Sequence, residues 1–245
     1  MALLKGAIFD LGETLIHLTV SWEQVRDSRI GAIHGALRDR GVTLDVSDVK
    51  QQYMRLHDEE SDYTARTLEE IEIEGTFTRL LDRLNVGKRE RPAMTDLVKR
   101  SFELELNSWA LFPGTEAMLQ QVRDLRLKVG LLSNARSDWA IKEIVEQRGL
   151  TRYFDSILTS ASIGIRKPRP EPFLQMLKQL DLQANEAVMI GNSMKADIAG
   201  ARPLGIKTIR VTFGANEDED GPDPDVTASS VSEIVPAIRR VAASC

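Results

Sequence analysis

Asp10, Ser133, Asn134, Lys167, Asn192 and Asp197 stand at or just beyond the ends of short apolar runs. Asp10 closes LLKGAIF, Ser133 and Asn134 follow GLL, Lys167 lies in the loop after residues 156–159, and Asn192 and Asp197 follow AVMIG. A carboxylate can attack an electrophilic phosphorus, while a hydroxyl, an amide and an ammonium can hold the oxygens being transferred, so the set suits phosphoryl transfer. Singly, each residue is ordinary. An aspartate at a strand end can shape a turn, a serine can cap a helix, and a lysine before Pro168 can sit in solvent. Their ordered combination, polar groups after each of four successive runs, is what points to a site.

The elements that must position these groups are legible in the pattern. Residues 3–9 read as a buried strand that stops at Asp10, with Gly12, Glu13 and Thr14 in a loop. From about 21 to 108 the texture is helical. Ser21 with Gln24 and Thr67 with Glu70 have capping-box spacing, and Phe77, Leu80, Leu81 and Leu84 recur at helical intervals. Further helices centre on Val49, Tyr53 and Leu56 and on Met94, Leu97, Val98 and Phe102.

After Phe112-Pro113-Gly114, strands alternate with helices. Strands are expected at 127–132, 156–159, 187–190 and 207–211, and helices up to about Leu125, at 137–148, 171–180 and 194–203, with a last one over 231–242. Short apolar strands separated by helices imply an α/β fold with a parallel sheet. Such sheets bind ligands outside the carboxyl ends of their strands, where the six polar residues fall. The sheet is interrupted after its first strand by a helical insertion of roughly 90 residues, enough for a domain.

Composition narrows the class. The chain has 245 residues, 42% hydrophobic and 28% charged, with a formal charge of −5. That balance excludes collagen-like and disordered chains. Six of the acids (Glu217, Asp218, Glu219, Asp220, Asp223 and Asp225) crowd into one segment that reads as a solvated loop, and the rest is close to neutral. No basic stripe is offered to nucleic acid or to an anionic membrane. The single cysteine, Cys245, permits no intrachain disulfide, no apolar run approaches a membrane span, and the stretch before Asp10, broken by Lys5, is too short for a signal peptide. The expectation is a cytoplasmic protein with no nucleic-acid or membrane partner; oligomeric state is open.

The sequence resembles the haloacid dehalogenase-like hydrolase superfamily over essentially its whole length. The resemblance rests on FDLGETL (Asp10 to Thr14), LLSNA (Ser133), GIRKPRPEPF (Lys167) and IGNSMKADIAGA (residues 190–201), in that order. It implies a Rossmann-like parallel-sheet core over 1–16 and 110–245, with an all-helical cap over 17–109. It implies catalysis by Asp10 as nucleophile, forming an aspartyl phosphate, with Ser133, the Asn134 backbone N–H and Lys167 binding the phosphoryl group. It also implies Mg²⁺ held by Asp10, the Gly12 backbone carbonyl, Asn192 and Asp197, the last directly or through water, and a small phosphorylated metabolite as substrate. Asp197 has a second reading, as the partner of Lys167 or a helix cap.

Two positions depart from the family's phosphatase pattern. Gly12 stands where an aspartate protonates the leaving oxygen, and a missing acid costs about 10²–10⁴ in rate. Asn192 stands where the metal motif has its first acid, which removes one charge from the cation site. Glu13 has a side chain long enough to serve as a substitute acid, although neighbours along an extended segment point to opposite sides. The alternatives are a metal-independent hydrolase of the haloacid dehalogenase type, where halide leaves without a proton, and a catalytically weakened binding protein. His17, His34 and His57 have no metal-ligand spacing and are expected to be surface or packing residues, while Trp22, Trp109 and Trp139 are expected to be packing anchors.

Overall fold

A computed structural model describes residues 4–214 and 220–243. Leu3, Glu217, Asp218, Glu219 and Cys245 therefore lie outside the described residues. The chain divides into two compact units, Met1–Leu18 with Ala110–Cys245, and Thr19–Trp109.

The chain opens with strands β1 (Gly6–Phe9) and β2 (Ile16–Leu18), continues through helices α1 (Trp22–Asp39), α2 (Val46–Thr67), α3 (Ile73–Arg83) and α4 (Met94–Asn107), and returns in β3 (Trp109–Leu111). Then come α5 (Thr115–Asp124), β4 (Lys128–Ser133), α6 (Asp138–Gln147), β5 (Ser156–Thr159), the short α7 (Ser160–Ile163) and α8 (Pro170–Leu180). After β6 (Ala187–Gly191), a one-turn α9 (Ala199–Ala201), β7 (Lys207–Val211) and β8 (Val226–Ala228), the chain ends in α10 (Ile234–Ala243).

The first unit is built on a six-stranded sheet in the order β5-β4-β1-β6-β7-β8, parallel throughout. Residues such as Ala7, Ile8, Phe9, Val188, Met189 and Ile190 are completely buried, as a sheet covered on both faces requires. β1 lies between β4 and β6, with Phe9 level with Leu131 on one side and Ile190 on the other. The chain builds outward from β1 to β4 and β5, then to β6, β7 and β8 on the opposite side. This reversal of strand order opens a crevice at the carboxyl end of β1.

The second unit is helical, as the sequence implies. α1 begins with the expected capping box: Ser21 Oγ accepts from Gln24 N–H at 3.2 Å and Gln24 Oε1 accepts from Ser21 N–H at 2.9 Å. The Thr67–Glu70 pair does not start a helix. Thr67 ends α2, its hydroxyl donating to the Tyr63 carbonyl, and α3 starts after Glu72. Arg29 is buried in this unit between Glu105, the Tyr53 hydroxyl and the face of Phe102, 4.3 Å from the ring centroid. Burial pushes the Glu105 carboxyl up despite the opposing Arg29 charge.

Several details depart from the sequence reading. β2, β3 and β8 are three residues each, too short to show a two-residue period. The helix expected over 194–203 changes pitch twice: Met194–Ile198 is a π-helical turn, Ala199–Ala201 is α-helical and Arg202–Leu204 is a 3-10 turn closed by Gly205. The acidic segment is not solvated throughout. Asp225 Oδ2 accepts from both the N–H and the hydroxyl of Thr208, at 2.9 Å each, and so pins the chain to β7.

Gly200 belongs to the irregular run after β6. A β-carbon there would stand 2.6 Å from the ring of Phe173, a fully buried core residue, and 2.9 Å from the backbone Cα of the half-buried Pro168. Gly200→Ala is therefore expected to destabilise the protein by about 1–3 kcal/mol. A thermal melt with an unchanged midpoint would contradict this packing argument.

Candidate active site

The centre of the crevice is the Lys167 ammonium. It donates to Asp10 Oδ1 at 2.8 Å, to Asp197 Oδ1 at 2.6 Å and to the Leu132 carbonyl at 2.7 Å. An ammonium has three protons, and each has an acceptor. The lysine is only 3% exposed. Burial works against its charge, yet the two carboxylates outweigh that cost and raise its pKa, so it is an ammonium at neutral pH.

Asp10 is placed by β1 and by a hydrogen bond from its N–H to the Ile190 carbonyl of β6 at 2.9 Å. The chain then folds back sharply, with the N–H groups of Thr14, Leu15 and Ile16 all directed to the Leu11 carbonyl. This turn places Glu13 in the left-handed region, at φ 57°. It also buries Thr14 completely; its hydroxyl lies 3.3 Å from Asp10 Oδ2 and 3.4 Å from Asn192 Oδ1, so these two oxygens converge on one weak donor. The Glu13 carboxylate accepts from the Leu18 N–H at 3.4 Å, toward β2. The extended segment assumed from the sequence is absent here.

Asp197 comes from the π-helical turn after β6. The N–H groups of Asp197 and Ile198 both reach the Ser193 carbonyl, while Ser193 Oγ accepts from the Ala196 N–H and caps the turn. The turn carries the Asp197 carboxylate back over Gly191, where a β-carbon would collide with it, standing 2.8 Å from the Asp197 Cβ and closer still to the carboxylate. With Oδ1 on Lys167 and Oδ2 accepting from the Ser193 N–H at 3.1 Å, both oxygens of Asp197 are engaged. Of its two sequence readings, the observed contacts are those of the Lys167 partner.

Ser133 ends β4 opposite Thr159 and is 6% exposed. Capping of α6 falls instead to Ser137, whose Oγ accepts from the Ala140 N–H. Among the described residues the Ser133 hydroxyl has no hydrogen-bond partner, which leaves it available to a ligand. The Asn134 side chain, by contrast, is engaged at both ends by Lys167: Nδ2 donates to its carbonyl at 3.0 Å and Oδ1 accepts from its N–H at 2.9 Å. Sequence reasoning singled out the Asn134 backbone and missed this side chain. Arg169, two residues after Lys167, pairs with Glu171.

The residues expected from the sequence thus meet at one end of one sheet. A model of the haloacid dehalogenase-like hydrolase family matches residues 4–205. The chain belongs to that family. A glyceraldehyde 3-phosphate phosphatase of Methanocaldococcus jannaschii is 26% identical over 241 residues, spanning 98% of this chain and 99% of the relative. A phosphoserine phosphatase of Thermus thermophilus is 30% identical over 134 residues, 55% of this chain and 53% of its own length. Among solved structures, a 2-haloacid dehalogenase from Pseudomonas syringae pv. Tomato superposes with a TM-score of 0.67 at 25% identity, covering 97% of this chain and 99% of that one. No helix among the described residues is long and apolar enough to cross a membrane.

The charge on Asp197 has a measurable consequence. Burial pushes its carboxyl up to about 6, with Lys167 opposing the rise and Asp10 adding to it. A folded-state pKa above the unfolded value means that the folded chain holds this proton more tightly. The group's contribution to stability is therefore complete in acid and is lost as pH rises through about 6. In EDTA, the unfolding free energy of the native sequence relative to Asp197→Asn should decline between about pH 4 and pH 7. A difference that stays constant over that range in urea titrations would count against the assignment.

Proposed function

We propose that the protein is a Mg²⁺-dependent phosphomonoesterase acting on a small phosphorylated metabolite, with Asp10 as nucleophile. The observation that carries this reading is the Asp10–Lys167–Asp197 cluster at the carboxyl end of β1, beside the hydroxyl of Ser133, which has no partner among the described residues. The phosphatase names of the full-length and partial relatives support the substrate class.

The donor set suits a hard cation. Two carboxylates against one ammonium leave one net negative charge, and a phosphate dianion would be repelled unless a cation joined it. Among the described residues no group of three His, Cys, Asp or Glu side chains is arranged around a metal. The available donors are oxygens: Asp10 Oδ2 and Asn192 Oδ1, which converge on Thr14, and the carbonyl of Gly12. Mg²⁺ is served by one or two carboxylates supplemented by water and phosphate oxygens. Asp10, Gly12 and Asn192 would hold it, with Asp197 behind them. When bound it would neutralise phosphoryl charge and orient the ester.

The protein's own groups do the rest. Asp10 attacks phosphorus and the ester P–O bond breaks, the leaving group departing as alkoxide or phenolate that takes its proton from water; a second water then cleaves the aspartyl phosphate, releasing inorganic phosphate and restoring Asp10. Ser133 and the backbone N–H of Asn134 receive the phosphoryl oxygens. The Lys167 ammonium is saturated in the resting site, so it can donate to phosphate only by releasing an acceptor. Phosphorylation of Asp10 removes that carboxylate's charge and releases the Lys167 N–H that it had accepted, which then donates to a phosphoryl oxygen. Lys167 thus becomes a stronger clamp as the reaction proceeds, which is the direction catalysis requires.

Gly12 supplies no acid, and the Glu13 carboxylate is directed to Leu18. Leaving groups that need no proton should therefore react best. The dehalogenase likeness offers a second reading, since halide departs unprotonated; release of halide from a short 2-haloacid in EDTA would favour it.

Phosphate release from aryl and acyl phosphates should exceed that from alkyl phosphates, should disappear in EDTA, and should fall by more than about 10³-fold in Asp10→Asn. Activity surviving both treatments would remove Asp10 and Mg²⁺ from the mechanism. Gly12→Asp should raise the rate on alkyl esters by about 10²-fold or more, the scale of a restored general acid. An unchanged rate in the folded variant would show that Gly12 is not the deficit.

A further inference from the structure

We infer that Asn134 is a positioning residue that acts through the main chain of Lys167, its side-chain amide serving the lysine rather than the ligand. This rests on the phosphatase reading of the site. The two hydrogen bonds, 2.9 Å from the Lys167 N–H and 3.0 Å to the Lys167 carbonyl, satisfy both backbone groups of that residue with one side chain. Lys167 precedes Pro168, which has no N–H to offer, and lies in the loop between α7 and α8, outside the sheet ladder. Its main chain therefore depends on a side chain for the pairing that a neighbouring strand would otherwise supply.

The base of this clamp is itself fixed. Asn134 follows Ser133 directly at the end of β4. The next residue, Ala135, is held by Ser160: its N–H donates to Ser160 Oγ at 2.8 Å, and its carbonyl accepts from Ser160 Oγ and from the Ala161 N–H, at 3.2 Å each. Ser160 is 1% exposed. Rigidity thus passes from β5 and α7 to residues 134–135, and from Asn134 to the Lys167 backbone. A lysine side chain has four rotatable carbons, so an ammonium that meets three acceptors at 2.6–2.8 Å needs a fixed root. Asn134 supplies that root.

Two replacements separate the parts of the clamp. Asn134→Leu keeps similar volume and removes both hydrogen bonds. Asn134→Asp keeps the acceptor for the Lys167 N–H and sets an oxygen against the Lys167 carbonyl. Both should lower kcat on p-nitrophenyl phosphate by about 10–10²-fold with a smaller change in KM, because misplacement of a catalytic group by about 1 Å costs up to that much. In a Lys167→Gln background the same Asn134 replacement should cost nothing further. Rates are compared at a temperature where circular dichroism shows each variant folded, and Asn134→Asp carries the test if the leucine variant does not fold. Independent, multiplying losses, or an unchanged kcat in a folded variant, would overturn the inference. A crystal structure of either variant supplies a readout free of turnover: the Lys167 Nζ should leave its three acceptors, and an ammonium found in its original place would overturn the positioning role. Should the unaltered protein hydrolyse no phosphate ester, the phosphatase reading fails, and that crystallographic comparison still decides the role of Asn134.

Discussion

One ammonium, donating to three acceptors contributed by separate parts of the sheet unit, organises the site. Lys167 joins Asp10 after β1, the Leu132 carbonyl in β4 and Asp197 after β6. Burial works against the ammonium's charge, and the two carboxylates beside it compensate. The burial of all three charges is therefore a single condition, met only when the three segments lie in register. That register is set by the parallel pairing of β1 with β4 and β6, which brings the strand ends carrying Asp10 and Leu132, and the segment leading to Asp197, side by side.

The sequence exposes the parts of this arrangement that depend on local periodicity. Buried strands of four to six residues between helices produce apolar runs long enough to recognise, and the polar residue that ends each run marks the crevice. Elements of three residues leave no such trace, which is why β2, β3 and β8 are invisible beforehand. Thr67 illustrates a different failure: a threonine followed three residues later by a glutamate has the spacing of a helix start, but a helix already running from Val46 reaches Thr67 and claims its hydroxyl.

Within the site, residue types were legible and partners were not. Lys167 is no different in sequence from an exposed lysine before a proline; its burial follows from acceptors contributed from Asp10 to Asp197. The side chain of Asn134 was hidden for the same reason, since its partner lies 33 positions away. Asp225 looked like one more solvated acid in a run of acids, and only the position of Thr208 on β7 distinguishes it. The helix after β6 was located correctly, but its wide first turn depends on a carboxylate being drawn back toward a lysine, a demand that no helical propensity encodes.

Gly191 and Asp197 illustrate how such a site can vary over time. Because the space a β-carbon would need at 191 is filled by the acid at 197, the two positions form one heritable unit. Loss of the carboxylate alone does not open position 191, because the Cβ of residue 197 would still stand 2.8 Å from a β-carbon there, while a larger residue at 191 displaces the acid. Substitution at either position is thereby constrained by the other, and a grafted copy of this site would have to carry both positions together.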